Sequence, residues 1–558
     1  MPRAHDSAPV DVDVIVIGSG AGGLTAALAL ARAGHRVLVL EQHDVPGGWC
    51  HSFTLEGYGY SPGVHYIGEL QPGGRLRRVY EGLGVGGDLT FFELNPDGYD
   101  HVIAGDQRFD IPKGRDRYRE ALKRRFPADA AGIDRYFAIV SGLARELDKL
   151  SSMRPTDMLL APVKLPNLFR HGLRTLDSVL KRCVDDPFLR LILSVQAGDH
   201  GVAPERASMP LQAAIQDHYF NGGWYPKGGG MAIPRAFVRA LKRHGAEVRT
   251  STRVDRILLD GKRAVGVRLA DGTDIRADQI ISNADPGVTY GELIGRDALP
   301  WPLRRRLAKT RWSTGALSLF LAVDMDVRGA GFDSGNYWWN RTTDLNAAYA
   351  LGTSPDARAV TGGLPAAFLT IPTLKDPTKA RRHHTMEAFA FVNYQAFRRW
   401  AHTRCGDRPE DYQALKRELT ASMLRDLEAL VPGLRDHVVF SSLGTPLTNE
   451  HYVMATHGSI YGTDKGRRQI GPFAYPIKSP WAGLTLCGAS TTSHGVMGAT
   501  MSGLAAARHV SGLRTRDLLG EGGPSVTCLP AEDESAWPEA MRRRVADRRR
   551  RDGEAPAA

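Results

Sequence analysis

The sequence predicts an α/β protein of two or more domains, one of them a dinucleotide-binding βαβ unit, and two observations carry that prediction. Residues 13–17, DVIVI, read as a buried strand that runs into GSGAGG and then into LTAALALARAG, a helical stretch ending at Gly34; a second strand, RVLVLE, closes on Glu41. The chain has 558 residues, 42% of them hydrophobic, which is enough for a sizeable core and more than one compact domain holds.

Each position in the first unit has a physical reason. Gly18, Gly20 and Gly23 form a G-x-G-x-x-G at the strand-to-helix turn. The first permits the tight turn, the second admits a pyrophosphate to the backbone, and the third lets helix and strand pack closely, in the Rossmann-like manner. Ser19, Ala21 and Gly22 complete a loop whose N–H groups, with the helix N-terminus, face the phosphates. Glu41 follows Gly18 by 23 positions, near the spacing of roughly 20 expected for a ribose-binding carboxylate, with Gln42 beside it. A carboxylate there repels a 2′-phosphate, so FAD or NAD is expected rather than NADP. No second strand-GxGxxG-helix unit follows: GVGG at 84–87 and KGGG at 227–230 lack the preceding buried strand. The electron partner is therefore expected to be a visiting ligand, a quinone, oxygen or a transiently held nicotinamide.

The formal charge of +11 raises the prospect of an anionic partner. Much of the excess lies in Arg542–Arg544 and Arg548–Arg551, without the interleaved aromatics of a nucleic-acid groove, so 516–558 reads as a solvated, flexible basic tail and no nucleic acid is expected. Five scattered cysteines, none in a CxxC pair, fit a reducing compartment. His43, His51, His65 and Cys50 lack the paired spacing of a zinc site, and no metal is expected. The N-terminal MPRAHDSAPVDV has no apolar signal core, and no apolar run approaches the roughly 20 residues of a membrane span. A cytoplasmic protein is expected, soluble or peripherally membrane-associated. Residues 155–182 read as proline-broken turns leading into a helix with Phe169, Leu173, Leu176 and Leu180 on one face, a candidate membrane-contacting element or a cover for the domain's own core.

Three further segments decide between FAD and NAD by resemblance. Gly47-Gly48 shortly after Glu41, the segment 224–286 ending in IISNADP, and GLTLCGASTTSHGVMGATMSGLAAARHV at 483–510 resemble, in order, the double glycine, the returning segment and the closing strand-glycine-helix of the FAD-dependent amine-oxidase and phytoene-desaturase superfamily. The resemblance implies FAD, held by a discontinuous domain built from 10–80, 225–300 and 470–515, with 81–224 and 301–469 forming a mixed α+β substrate domain. It places the Val254 backbone at the adenine and Gly488, Val496 and Met497 beside the isoalloxazine.

GGWCHSF and GYSPGVHYIG narrow the resemblance to the retinol saturase branch, with carotenoid isomerases and desaturases close by. That implies a long apolar polyene or isoprenoid lipid, saturated, desaturated or isomerised at a carbon–carbon double bond. Gly47, Gly48, Gly63 and Val64 are then expected against the FAD. His65 and Tyr66 are the candidates for catalysis, and His494 is a further proton donor to weigh. Two departures stand out. Trp49 replaces the arginine that amine oxidases carry after the double glycine, which sets amine oxidation second, and Ser61 stands where many relatives have an acid. A non-catalytic prenyl-binding protein of the GDP-dissociation-inhibitor type is the alternative from another class.

Overall fold

In the computed structural model of the chain, which describes residues 11–152, 160–379 and 382–552, the strand Val12–Ile17 pairs in parallel on both sides, with Val37–Leu40 and with Asp274–Ser282. Burial on both faces explains why its sequence is an unbroken apolar run instead of an alternation. Glu247–Arg249 extends the sheet beyond Val37–Leu40. On the other side Asp274–Ser282 divides its length: its first residues pair antiparallel with Arg263–Leu269, and Ile280–Ser282 pair in parallel with Leu484–Leu486. Residues remote in sequence thus meet in one sheet. The helices Ala21–Arg32, Ala232–Arg243 and Gly495–Ser511 share a hydrophobic core with that sheet.

A second sheet runs in the order Val438–Gly444, Gly315–Val323, His384–Val392, Ala366–Thr370, Asn336–Asn340, Asp100–Ala104, Gln107–Ile111. Its neighbours are antiparallel except Asn336–Asn340 with Asp100–Ala104. Helices Ala130–Ser152, Leu176–Cys183, Pro187–Ser194 and Met209–Tyr219 join it in one large core.

Two expectations are corrected here. The basic C-terminal stretch is folded through Asp552: Thr527–Pro530 pairs in parallel with Thr90–Glu93, and Trp537 is buried against Phe92 with its Nε1 donating to Pro530 O at 2.7 Å. Helix Glu539–Asp552 then buries Val545 in the same cluster. Charge dominates the composition, but a few widely spaced apolar anchors meet a strand more than 400 residues earlier. In 155–182, residues 155–159 lie outside the described part, and the rest is not one striped helix. Ala161–Lys164, Pro166–His171 and Leu176–Cys183 are separate, the last capped by Thr175, whose side chain accepts from Ser178 N. The break splits the stripe. Leu176 and Leu180 enter the core, whereas Phe169 and Leu173 are 77% and 75% exposed. Among the described residues no helix is long and apolar enough to cross a membrane.

Candidate active site

One cavity of about 480 Å³ joins the two sheets, a size typical of ligand sites. At one end Gly18, at φ +88°, turns the chain from strand to helix. Gly20 caps the helix Ala21–Arg32 without a side-chain hydrogen bond, so its first-turn N–H groups open onto the cavity. Glu41 is nearly buried beside them. Its carboxylate accepts from Ser19 N and Oγ at 2.9 and 2.5 Å and from His43 N at 2.9 Å, and Ser19 Oγ in turn accepts from Gly47 N at 3.0 Å. Ser19 therefore ties the phosphate turn, the acid and the double glycine into one rigid unit. Oε2 of Glu41 is taken up by Ser19, whereas Oε1, which accepts from His43 N, retains a lone pair for a ribose hydroxyl.

At Gly22 three remote segments converge. A Cβ there would lie 2.7 Å from Asn283 Oδ1, 2.9 Å from Ala499 O and 3.2 Å from Gly488 N. The helix Gly495–Ser511 also begins without a side-chain cap, and Gly495 and Val496 line the cavity. Two uncapped helix N-termini and a buried carboxylate facing one space fit a flavin dinucleotide: pyrophosphate at the first terminus, ribose at the acid, and a ring that gains negative charge on reduction near the second.

The residues expected at the cofactor all line this cavity except Gly23, Val64 and Met497. Gly23 faces its own strand, where a Cβ would sit 2.2 Å from Gly18 O. Val64 is 1% exposed in the core with Cys50, and Met497 packs against the same core. Among the other histidines and Cys50, His43 lies 2.7 Å from Asp44, His51 Nδ1 donates to Gly48 O at 2.6 Å, and burial pushes the Cys50 thiol up to about 12.

The inner end of the cavity lies on the second sheet. Cross-strand register sets Trp338 beside Phe368, Phe368 beside Phe389 and Phe389 beside Ser318, so four strands present one continuous row. Trp338 meets Phe368 edge-on at 4.6 Å, and Phe389 lies 4.5 Å from the His65 ring. At the roughly 4.8 Å spacing of strands the row spans about 14 Å. Sequence inspection missed it, because each aromatic lies in a different strand and only register aligns them.

Charged and polar groups border this apolar row. His65 Nδ1 is 3.2 Å from Glu387 Oε2, close enough for an ion pair but misaligned for a hydrogen bond, and Glu387 is fully buried. The other Glu387 oxygen accepts from Ser61 N at 2.7 Å. A carboxylate thus reaches the Ser61 segment from the strand His384–Val392. Tyr66 stacks on Tyr219 at 4.2 Å, and its hydroxyl donates to Asp199 at 2.9 Å and to Asp100 at 3.3 Å. Lys375, also fully buried, donates to His65 O at 2.7 Å and to Asn336 Oδ1; burial brings its ammonium down to about 7. His494 does not line the cavity. Its Nε2 donates to Asp199 O at 2.7 Å, and burial holds the ring neutral, well below the usual histidine range. Asp100, Asp199, Lys375 and Glu387 all escaped the sequence reading; the only local hint was a charged residue inside an apolar run.

The family model for flavin containing amine oxidoreductases matches residues 21–511. The chain belongs to this flavin-containing family. Its cofactor is FAD, which the two helix termini and Glu41 suit. The chain is 32% identical over 482 residues to all-trans-retinol 13,14-reductase of Danio rerio, covering 82% of this chain and 78% of that one. It is 31% identical over 526 residues to the Homo sapiens protein of the same name, covering 89% and 85%. Prolycopene isomerase of Arabidopsis thaliana is 26% identical over 474 residues, covering 81% and 75%. Among solved structures, a putrescine oxidase variant aligns with a TM-score of 0.60 at 16% identity, over 89% of this chain and 98% of that one. Cyclohexylamine oxidase from Brevibacterium oxydans gives 0.56 at 18%, over 90% and 99%. These structures share the family's fold.

Proposed function

We propose that this flavoprotein reduces a carbon–carbon double bond in a long apolar polyene of the retinoid or carotenoid type. The observation that carries the reading is the aromatic row from Trp338 to Ser318, continuous with the space lined by Gly488 and Val496. An extended conjugated chain stacks along such a row, whereas the carboxylate on the same sheet face, Glu387, is fully buried under His65 and the Ser61 segment and shared between His65 and Ser61 N, which leaves it unavailable to a small cation. The relatives named for retinol reduction and prolycopene isomerisation support the same substrate class, and the reductase names favour saturation. FAD supplies the hydride when bound and reduced. The chain's own residues hold the polyene against the row, exclude water and place a proton.

The electron partner we assign to a visiting quinone, oxygen or nicotinamide. Delivery of so apolar a substrate we assign to peripheral contact of a cytoplasmic protein with a membrane through Leu160, Val163, Phe169 and Leu173, all exposed, flanked by Arg170 and Arg174. Anaerobic incubation of the chemically reduced enzyme with retinol and a panel of carotenoids tests the function by mass spectrometry. A gain of two hydrogens supports it. Altered retention at unchanged mass would reassign the enzyme as an isomerase, and inertness toward every polyene would overturn the reading.

A further inference from the structure

A fully buried carboxyl group, Asp100, and a half-buried one, Asp199, share one hydroxyl at the inner end of the cavity, and their surroundings differ. Asp100 is fully buried and accepts from Asn336 Nδ2 at 2.9 Å, Trp338 Nε1 at 3.0 Å and Gln196 Nε2 at 3.2 Å, with the Lys375 ammonium behind Asn336. Among the described residues Asp199 has the Tyr66 hydroxyl as its one side-chain donor, on Oδ2, while the residue lines the cavity. Two carboxyl groups on either side of one phenol do not both ionise in so dry a setting, and the one with more N–H donors keeps the charge. The negative charge therefore rests on Asp100 and the proton on Asp199.

The backbone around Asp199 is held on three sides. Tyr349 Oη donates to Ala197 O at 3.0 Å, Tyr461 Oη to Gly198 O at 2.8 Å, and His494 Nε2 to Asp199 O at 2.7 Å. Successive carbonyls of one short segment are thus each pinned by a different side chain, the kind of support that fixes a reacting group in place.

We propose that Asp199 is the acid that protonates the polyene, with Tyr66 as its positioning partner; the proposal rests on the reading of this site as one that reduces a polyene. The π bond of one double bond breaks and two C–H bonds form. One carbon receives hydride, with both electrons, from reduced flavin. The neighbouring carbon receives the Asp199 proton as its O–H bond breaks. The carboxylate left behind regains a proton from water admitted when product leaves. Burial and the neighbouring Asp100 hold the Asp199 carboxyl well above the ordinary range, so it stays protonated at neutral pH. Among the described residues the groups around it are Tyr66, Tyr99, Asp100, Tyr219, Tyr349, Tyr461 and the neutral His494, and none brings a positive charge that would ionise it.

Asp199→Asn keeps the shape and an acceptor for Tyr66 but carries no acidic proton. Infrared spectroscopy of wild type at neutral pH should show the C=O stretch of a protonated buried carboxyl, lost in Asp199→Asn, with or without substrate. FAD binding should be unchanged in the variant, and polyene reduction should fall by about 10²- to 10⁴-fold. Tyr66→Phe, which preserves the stack on Tyr219, should retain the infrared band with a shifted frequency and a smaller loss of rate. Absence of the band from wild type, or its survival in Asp199→Asn, would overturn the proposal. An active wild type with an equally active Asp199→Asn would overturn it while leaving the functional reading intact; a wild type inert toward every polyene would overturn both.

Discussion

Replacing Gly22 with alanine puts a single methyl group where the phosphate turn, the Asn283 segment and the closing helix meet. The new Cβ would lie 2.7 Å from Asn283 Oδ1 and 2.9 Å from Ala499 O. Asn283 can rotate, at the expense of the contact its Oδ1 makes with Cys487 Sγ at 3.4 Å. Ala499 O belongs to the backbone of Gly495–Ser511 and moves only with the helix. Overpacking of this kind costs about 1–3 kcal/mol. Alanine gains at most about 1 kcal/mol over glycine in a helix interior, and less in a first turn, so the clash wins by about 1–2 kcal/mol, a factor of roughly 5 to 30. The loss should fall on cofactor binding, because the displaced helix carries the N-terminus beside Val496. Titration of Gly22→Ala apoprotein with FAD, followed by quenching of flavin fluorescence, should give a Kd raised by that factor. An unchanged Kd together with an unchanged melting temperature would refute the convergence of the three segments at this point.

Four other outcomes follow from the same geometry. Glu41→Arg should lose FAD by at least tenfold in affinity, since it removes the acceptor of Ser19 and His43 and puts a cation beside the phosphate turn; full flavin occupancy of the purified variant would remove Glu41 from the ribose. Trp537→Ala should cost about 3–5 kcal/mol of local stability and open the C-terminal segment to limited proteolysis while the flavin spectrum is retained; resistance equal to wild type would contradict its anchoring role. Lys465 is buried and donates to Ala489 O, and burial brings it down to about 7 from its ordinary 10.5. The unfolded chain binds that proton across the window in which the native chain has released it, so wild-type stability gains as pH rises from 7 toward 10.5. Lys465→Met lacks the gain, and its unfolding free energy relative to wild type should worsen by about 1–3 kcal/mol between about pH 7 and pH 9; a pH-independent difference in urea melts would exclude a buried, titrating lysine. Ser318→Trp should block the end of the aromatic row and abolish polyene turnover with the flavin spectrum intact, and undiminished turnover would move the substrate off the row.

The local order of residues 13–41 was sufficient for the nucleotide-binding unit. Strand, glycine turn, helix and acid are consecutive there, and each carries its own propensity or spacing signal. The loop N–H groups and Glu41 were legible for the same reason: their geometry comes from one turn and one strand pair. The C-terminal stretch was not, because its arginine runs outweigh Leu529, Trp537 and Val545 in any local count, and the strand it pairs with lies at Thr90–Glu93. The split stripe at 160–183 depends on a Thr175 cap and on which side of the break meets the core, and periodicity carries neither.

By itself the sequence determined the cofactor class, the fold of its turn, and His65 and Tyr66 as residues of interest. Tertiary structure alone decided what surrounds them. Register between four strands built the aromatic row, the packing around them made neutral or shared groups of Asp199, Lys375 and Glu387, and the Tyr66 hydroxyl brought Asp100 and Asp199 to a single point from positions 99 residues apart. The physical reason is that a carboxyl group's protonation and a ring's neighbours depend on the dielectric and the donors within a few ångströms, and those are set by chain segments that local sequence does not bring together.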